Sequence, residues 1–105
     1  MSTARQRLPA RRQSSAFMFE HHGISYRAQI SRFRDGRIGE IFIDGPKVGS
    51  AAQIAGHDGA VAASLALQHG CTVQTLRHAL QKLTDGRSAG PLGVALDLIE
   101  GGVNE

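Results

Sequence analysis

The stretch Ile24-Ser25-Tyr26-Arg27-Ala28-Gln29-Ile30-Ser31-Arg32-Phe33-Arg34-Asp35-Gly36-Arg37-Ile38-Gly39-Glu40-Ile41-Phe42-Ile43-Asp44 decides the fold. In its first half Ile24, Tyr26, Ala28 and Ile30 alternate with Ser25, Arg27, Gln29 and Ser31. Period-two alternation buries one face of a strand and leaves the other wet. Phe33 falls out of phase, which predicts a bulge or twist near the strand's end. Asp35-Gly36 tolerates positive φ and predicts a tight turn. The return run, Arg37 to Asp44, is rich in β-formers and ends at Gly45-Pro46. Two strands alone are marginal in water. The hairpin therefore needs a covering helix, a third strand over Phe17–His22, or another chain; its exposed edge offers a route to a homodimer.

Downstream the pattern becomes helical. Ser50 caps a predicted helix over Ala51–His69, with Ile54, Val61 and Leu65 as its apolar stripe, flanked by Ala51, Ala55, Ala62 and Ala66. Gly56 and Gly59 each cost about 1 kcal/mol there, so a break near His57-Asp58 is left open. Gly70 is the stop. Thr72 caps a second helix, in which Val73, Leu76, Leu80 and Leu83 share a face until Asp85-Gly86 closes it. After a loop over 87–93, Leu92, Leu96 and Ile99 mark a third helix that ends by Gly101. The order defines an α+β class: an N-terminal antiparallel β-hairpin, extendable to three strands, followed by three helices.

With 105 residues, 41% of them hydrophobic and 20% charged, the chain is one globular domain. It holds no run approaching the roughly 18 apolar residues of a membrane span. Its formal charge of +3 is unevenly placed. Arg5, Arg7, Arg11 and Arg12 all precede the first acidic residue, Glu20, and the remaining eight basic residues meet nine acidic ones. Residues 1–16 read as a flexible basic tail, 17–101 as a single domain and 102–105 as a flexible C-terminus. The four tail arginines suit a nucleic acid or an acidic partner. No apolar run follows them as a secretory leader needs, so the expected location is cytoplasmic.

Chemistry-bearing residues are sparse. The single cysteine, Cys71, excludes an internal disulfide, a four-cysteine zinc site and a catalytic cysteine pair within this chain. Five histidines fall in no HxxxH or HxH spacing, and the adjacent His21 and His22 are expected on opposite faces of a strand, so no metal site is predicted. No nucleophile motif, P-loop or dinucleotide fingerprint occurs, and no catalytic residue is assigned. The best small-ligand candidate is the turn Gly45-Pro46-Lys47-Val48-Gly49-Ser50, where Lys47, Gly49 and Ser50 lead into a helix start that favours an anion or nucleotide phosphate.

Taken together, Asp35-Gly36-Arg37-Ile38-Gly39-Glu40-Ile41-Phe42-Ile43, then Lys47 and Gly49, then Ser64-Leu65-Ala66-Leu67-Gln68-His69-Gly70, then Ser88-Ala89-Gly90-Pro91, resemble the TSCPD domain. That module lies in the C-terminal part of adenosylcobalamin-dependent (class II) ribonucleotide reductases, and the resemblance spans about Ile24 to Ile99. Asp35, Gly36, Gly39, Glu40, Phe42, Gln68, Gly70, Gly90 and Pro91 carry the pattern as structural positions. His69 stands where the family has tyrosine, and Cys71 where it usually has an aliphatic residue. None of the family's radical, thiol or cobalamin-contacting residues transfers to a position here. The resemblance implies a stand-alone accessory module of deoxyribonucleotide metabolism that binds a reductase chain and is not a reductase by itself. Adenosylcobalamin enters only through the family, with no cofactor expected in this chain. The alternative is a small nucleic-acid-binding regulator acting through its arginine tail.

Overall fold

The structure is a computed structural model and describes residues 4–45 and 47–101. Strands β1 (Ser14–His21), β2 (Ile24–Arg32) and β3 (Ile38–Asp44) form an antiparallel sheet in the order β1-β2-β3. Helices α1 (Ala51–Gln68), α2 (Val73–Ala79) and α3 (Pro91–Glu100) follow. The α+β class stands, and Phe17–His21 does lie in a third strand. His21 pairs with Ile24, so His22-Gly23 alone makes the β1–β2 turn, at φ 52° and 77°. Two positive φ angles match the right-handed twist of a two-residue hairpin.

The alternation in β2 puts Tyr26, Ala28 and Ile30 on the inner face beside Phe19, Ile41 and Ile43, all buried. Phe19 stacks on Tyr26 with ring centroids 5.3 Å apart. The break of phase is a register shift at Ser31/Arg32. It turns Phe33 inward, where its ring lies so close to Gly39 that a Cβ there would sit 2.7 Å from it. Gly39→Ala must displace a buried ring, and an expected loss of about 2 kcal/mol should show as a lower urea midpoint; an unchanged midpoint would contradict this packing.

The turn after β2 is built twice. Phe33 N–H donates to Arg37 C=O (2.8 Å), Gly36 N–H to Phe33 C=O (3.0 Å), and Arg37 donates through N and Nε to the Asp35 carboxylate. At Leu83-Thr84-Asp85-Gly86-Arg87 the same bonds recur, from Leu83 N–H to Arg87 C=O (2.7 Å), Gly86 N–H to Leu83 C=O (2.9 Å) and Arg87 to Asp85. The hydrogen bonds from each arginine hold Asp35 and Asp85 below the usual carboxylate range. This second turn corrects the expected length of α2. The helix stops at Ala79, Leu80 is already extended, and Lys82 bridges to Ser88. A hairpin-like turn needs extended flanks, so Leu83 leaves the helical face predicted for it and is 36% exposed.

Helix α1 runs unbroken through Gly56 and Gly59, with Ser50 accepting from Gln53 N–H at its start and Gly70 at φ 101° after its end. The face it buries differs from the one expected. Gly56, Ala60, Ala63, Ser64, Leu67 and Gln68 meet the sheet, whereas Ile54, Val61 and Leu65 are 48%, 39% and 42% exposed. The isoleucines of β2 and β3 already fill the interface, so only a stripe of small residues lets the helix approach. At Gly56 an added Cβ would lie 3.1 Å from Ile43. Ala51, Ala55 and Ala62 are likewise exposed.

The expected boundary at residue 16 also shifts. Residues 14–16 belong to β1, where Ser14 Oγ bonds Ser31 Oγ at 2.9 Å. The described arm ahead of them lies on the domain: Gln6 N–H donates to Gln68 C=O, Arg5 Nε donates to Gln68 Oε1 and Arg12 lies 3.1 Å from Glu40 Oε1. Strand pairing and these anchors replace the water contacts that the polar composition favours. The 102–105 tail lies outside the described residues.

Candidate functional site

The turn into α1 uses its own donors. Gly49, at φ 85°, donates its N–H to Gln53 Oε1 (3.1 Å), and Ser50 Oγ donates to Lys47 C=O (2.8 Å) while accepting from Gln53 N–H. Lys47 is exposed. An anion there would meet Lys47 and the remaining first-turn N–H groups, in competition with Gln53.

The motif residues form a clasp between α1 and the edge of the sheet. Ser64 Oγ accepts from Ile41 N–H and donates to Ile41 C=O, both at 2.9 Å. One turn later Gln68 Nε2 donates to Gly39 C=O at 2.9 Å. Since β3 is an edge strand, these backbone groups have no strand partner on that side. Two polar side chains, 7% and 3% exposed, satisfy them and close the edge. Gln68 was expected from its motif; Ser64 stood in the same motif without a role. Serine and glutamine at i and i+4 inside an apolar helix are the signal that could have found the clasp. Glu40 points the other way, half-buried against Arg12, and Phe42 is 44% exposed on the outer face of the sheet. Gly90 caps α3 with Pro91 at its first position.

A cleft of about 430 Å³ opens between the β1–β2 turn and α3, lined by Glu20, His21, His22, Leu83, Arg87, Ser88, Val94 and Asp97. Sequence reasoning did not assemble it, because its parts come from a turn at one end of the chain and a helix at the other. The two histidines are not on opposite faces: the positive φ of His22 brings the rings to 4.0 Å between centroids. His21 Nε2 lies 3.0 Å from Ala89 C=O, and since a carbonyl only accepts, that nitrogen carries the proton. Asp97 accepts from Ser88 Oγ (2.6 Å) and Arg77 Nε (2.8 Å). Partial burial pushes its carboxyl up, but the Ser88 and Arg77 hydrogen bonds outweigh this and hold it below the ordinary range.

A depressed pKa contributes stability that is present above the unfolded value, about 3.9, and is lost as pH falls through the folded one. Melting temperatures from about pH 6 to about pH 3 should therefore fall less steeply for Asp97→Asn than for the native chain. Parallel curves would mean that Asp97 has no such role. Among the described residues no three His, Cys, Asp or Glu side chains are placed to hold a metal ion. Cys71, half-buried, has its thiol 3.7 Å from Thr72 C=O.

The arginine arm meets the β2–β3 turn, so Arg7, Arg11 and Arg12 stand near Arg32 and Arg34 around a common patch. No helix among the described residues is long and apolar enough to cross a membrane.

Against this geometry, the chain is 39% identical over 74 residues to the vitamin B12-dependent ribonucleotide reductase of Agrobacterium fabrum strain C58. The match covers 70% of this chain and 6% of the reductase, so this chain corresponds to a small piece of that relative. The protein is thus related to a segment of a B12-dependent ribonucleotide reductase. No protein-family model matches the chain, and no solved structure matches it.

Proposed function

We propose that this chain is a TSCPD-type accessory module of deoxyribonucleotide metabolism, acting in the cytoplasm by docking on a ribonucleotide reductase chain and not reducing nucleotides itself. The similarity to a 6% segment of a reductase carries the reading, because such a segment works in its relative beside a much larger body of the same chain. The surface that supports it is the outer face of α1. Ile54, Val61 and Leu65 repeat at helical spacing, are partly exposed and meet no element of this chain that buries them. An apolar cleft of about 330 Å³, lined by Ala55, Gly59, Leu80, Pro91 and Leu92 among others, adjoins that helix. Exposed apolar residues grouped in this way mark association surfaces. Thiol-based reduction needs a cysteine pair, and the chain contains only Cys71.

The test is a tagged pull-down from the source cells at near-physiological salt, with and without nuclease, read by mass spectrometry. Recovery of a reductase chain that survives nuclease is expected. Recovery of nucleic acid, with protein partners lost on nuclease treatment, would move the function to the arginine arm.

A further inference from the structure

We infer that the N-terminal arm and the β2–β3 turn together form one composite surface for the phosphodiester backbone of nucleic acid. The inference is independent of the reductase reading and draws on residues at the opposite end of the sheet from the cleft at His21. Arg5, Arg7, Arg11, Arg12, Arg32, Arg34 and Arg37 gather here with only Asp35 and Glu40 for company, a local charge of +5. The other five basic residues of the chain meet seven acidic ones, a charge of −2. The molecule is therefore polarised far more strongly than its overall +3 suggests.

The arrangement suits a linear polyanion. Three shallow clefts of about 330, 240 and 210 Å³ adjoin one another through shared walls: Pro9, Phe33 and Arg34 in the first two, Arg12 in the second and third, Arg7 in the first and third. Arg12 is held by Glu40, Arg37 by Asp35, Arg5 by Gln68 and Arg32 by Gly36 C=O. The contacts of Arg12 and Arg5 anchor the arm, and those of Arg37 and Arg32 hold the β2–β3 turn. Arg7, Arg11 and Arg34 are exposed and make no ion pair among the described residues, which leaves three guanidinium forks for phosphate oxygens. Phe33, at the centre, is 5% exposed and covered by the Arg37 guanidinium 4.7 Å from its ring centroid. Its face is not available for stacking on a base, so recognition rests on the backbone and is independent of sequence.

Fluorescence anisotropy of the full chain with labelled double- and single-stranded oligonucleotides tests this. With about three phosphates engaged, affinity for the duplex should fall about 40-fold between about 50 and 200 mM salt and be insensitive to base sequence. Replacing the three unpaired arginines (R7E, R11E, R34E) should abolish binding with an unchanged circular dichroism spectrum. Arg27→Glu, a single charge reversal at an exposed position of β2 outside the three clefts, should leave most of the affinity in place. Binding unaffected by the triple change, no binding at low salt, or equal affinity for a polyglutamate peptide would each overturn the proposal, the last in favour of an acidic protein segment.

Discussion

Ser64→Ala is expected to cost about 3 kcal/mol, a large share of the stability of a domain this size. The serine is 7% exposed and its hydroxyl serves both the N–H and the C=O of Ile41, a residue with no exposed surface. Alanine fits the space but leaves a donor and an acceptor buried without partners, each at about 1–3 kcal/mol. Gln68 Nε2 holds Gly39 one step along the same edge and cannot reach Ile41 as well. Urea denaturation should show the loss in its midpoint, and the melting temperature should drop by about 10 °C or more. A loss below about 1 kcal/mol would show that water reaches Ile41, so that α1 does not seal the edge of β3.

The second large effect concerns binding and should leave folding nearly untouched. Val61→Asp with Leu65→Glu places two charges on the outer face of α1, where the native side chains are 39% and 42% exposed. Substitutions at such positions usually change stability by about 0.5 kcal/mol or less. At the centre of an apolar interface they would bury unpaired charge, and affinity for the reductase should fall at least about 100-fold, some 2.8 kcal/mol. Ala63→Asp makes the contrast: Ala63 is 3% exposed against the sheet, so that change should unfold the protein. Equal binding by the native chain and the double variant would remove α1 from the interface.

The two helix faces also show where sequence reading succeeded and where it failed. Alternation in Ile24–Ile30, the break at Phe33 and the Asp35-Gly36 turn were all legible, because strand periodicity and turn chemistry are local. The face of α1 was not. Periodicity ranks residues by bulk and selected Ile54, Val61 and Leu65, whereas the sheet supplies the bulk and selects small partners such as Gly56 and Ala60. The arm misled for a related reason: its composition offers little to bury, yet single contacts such as Arg12 with Glu40 and Arg5 with Gln68 lay it on the domain. The cleft of His21 and Asp97 joins residues far apart in the chain, which no local pattern connects. Gly39 makes room for Phe33, Gln68 closes the edge of β3, and Gly70 permits the left-handed stop of α1.

Sedimentation velocity of the purified chain, alone and mixed with the B12-dependent reductase of the same cells, tests the central claim most directly. Docking through α1 predicts that the chain moves with the reductase at near-physiological salt and returns to its own rate when Val61→Asp and Leu65→Glu are introduced. Independent sedimentation of the native chain, at concentrations well above micromolar, would contradict a reductase-docking role.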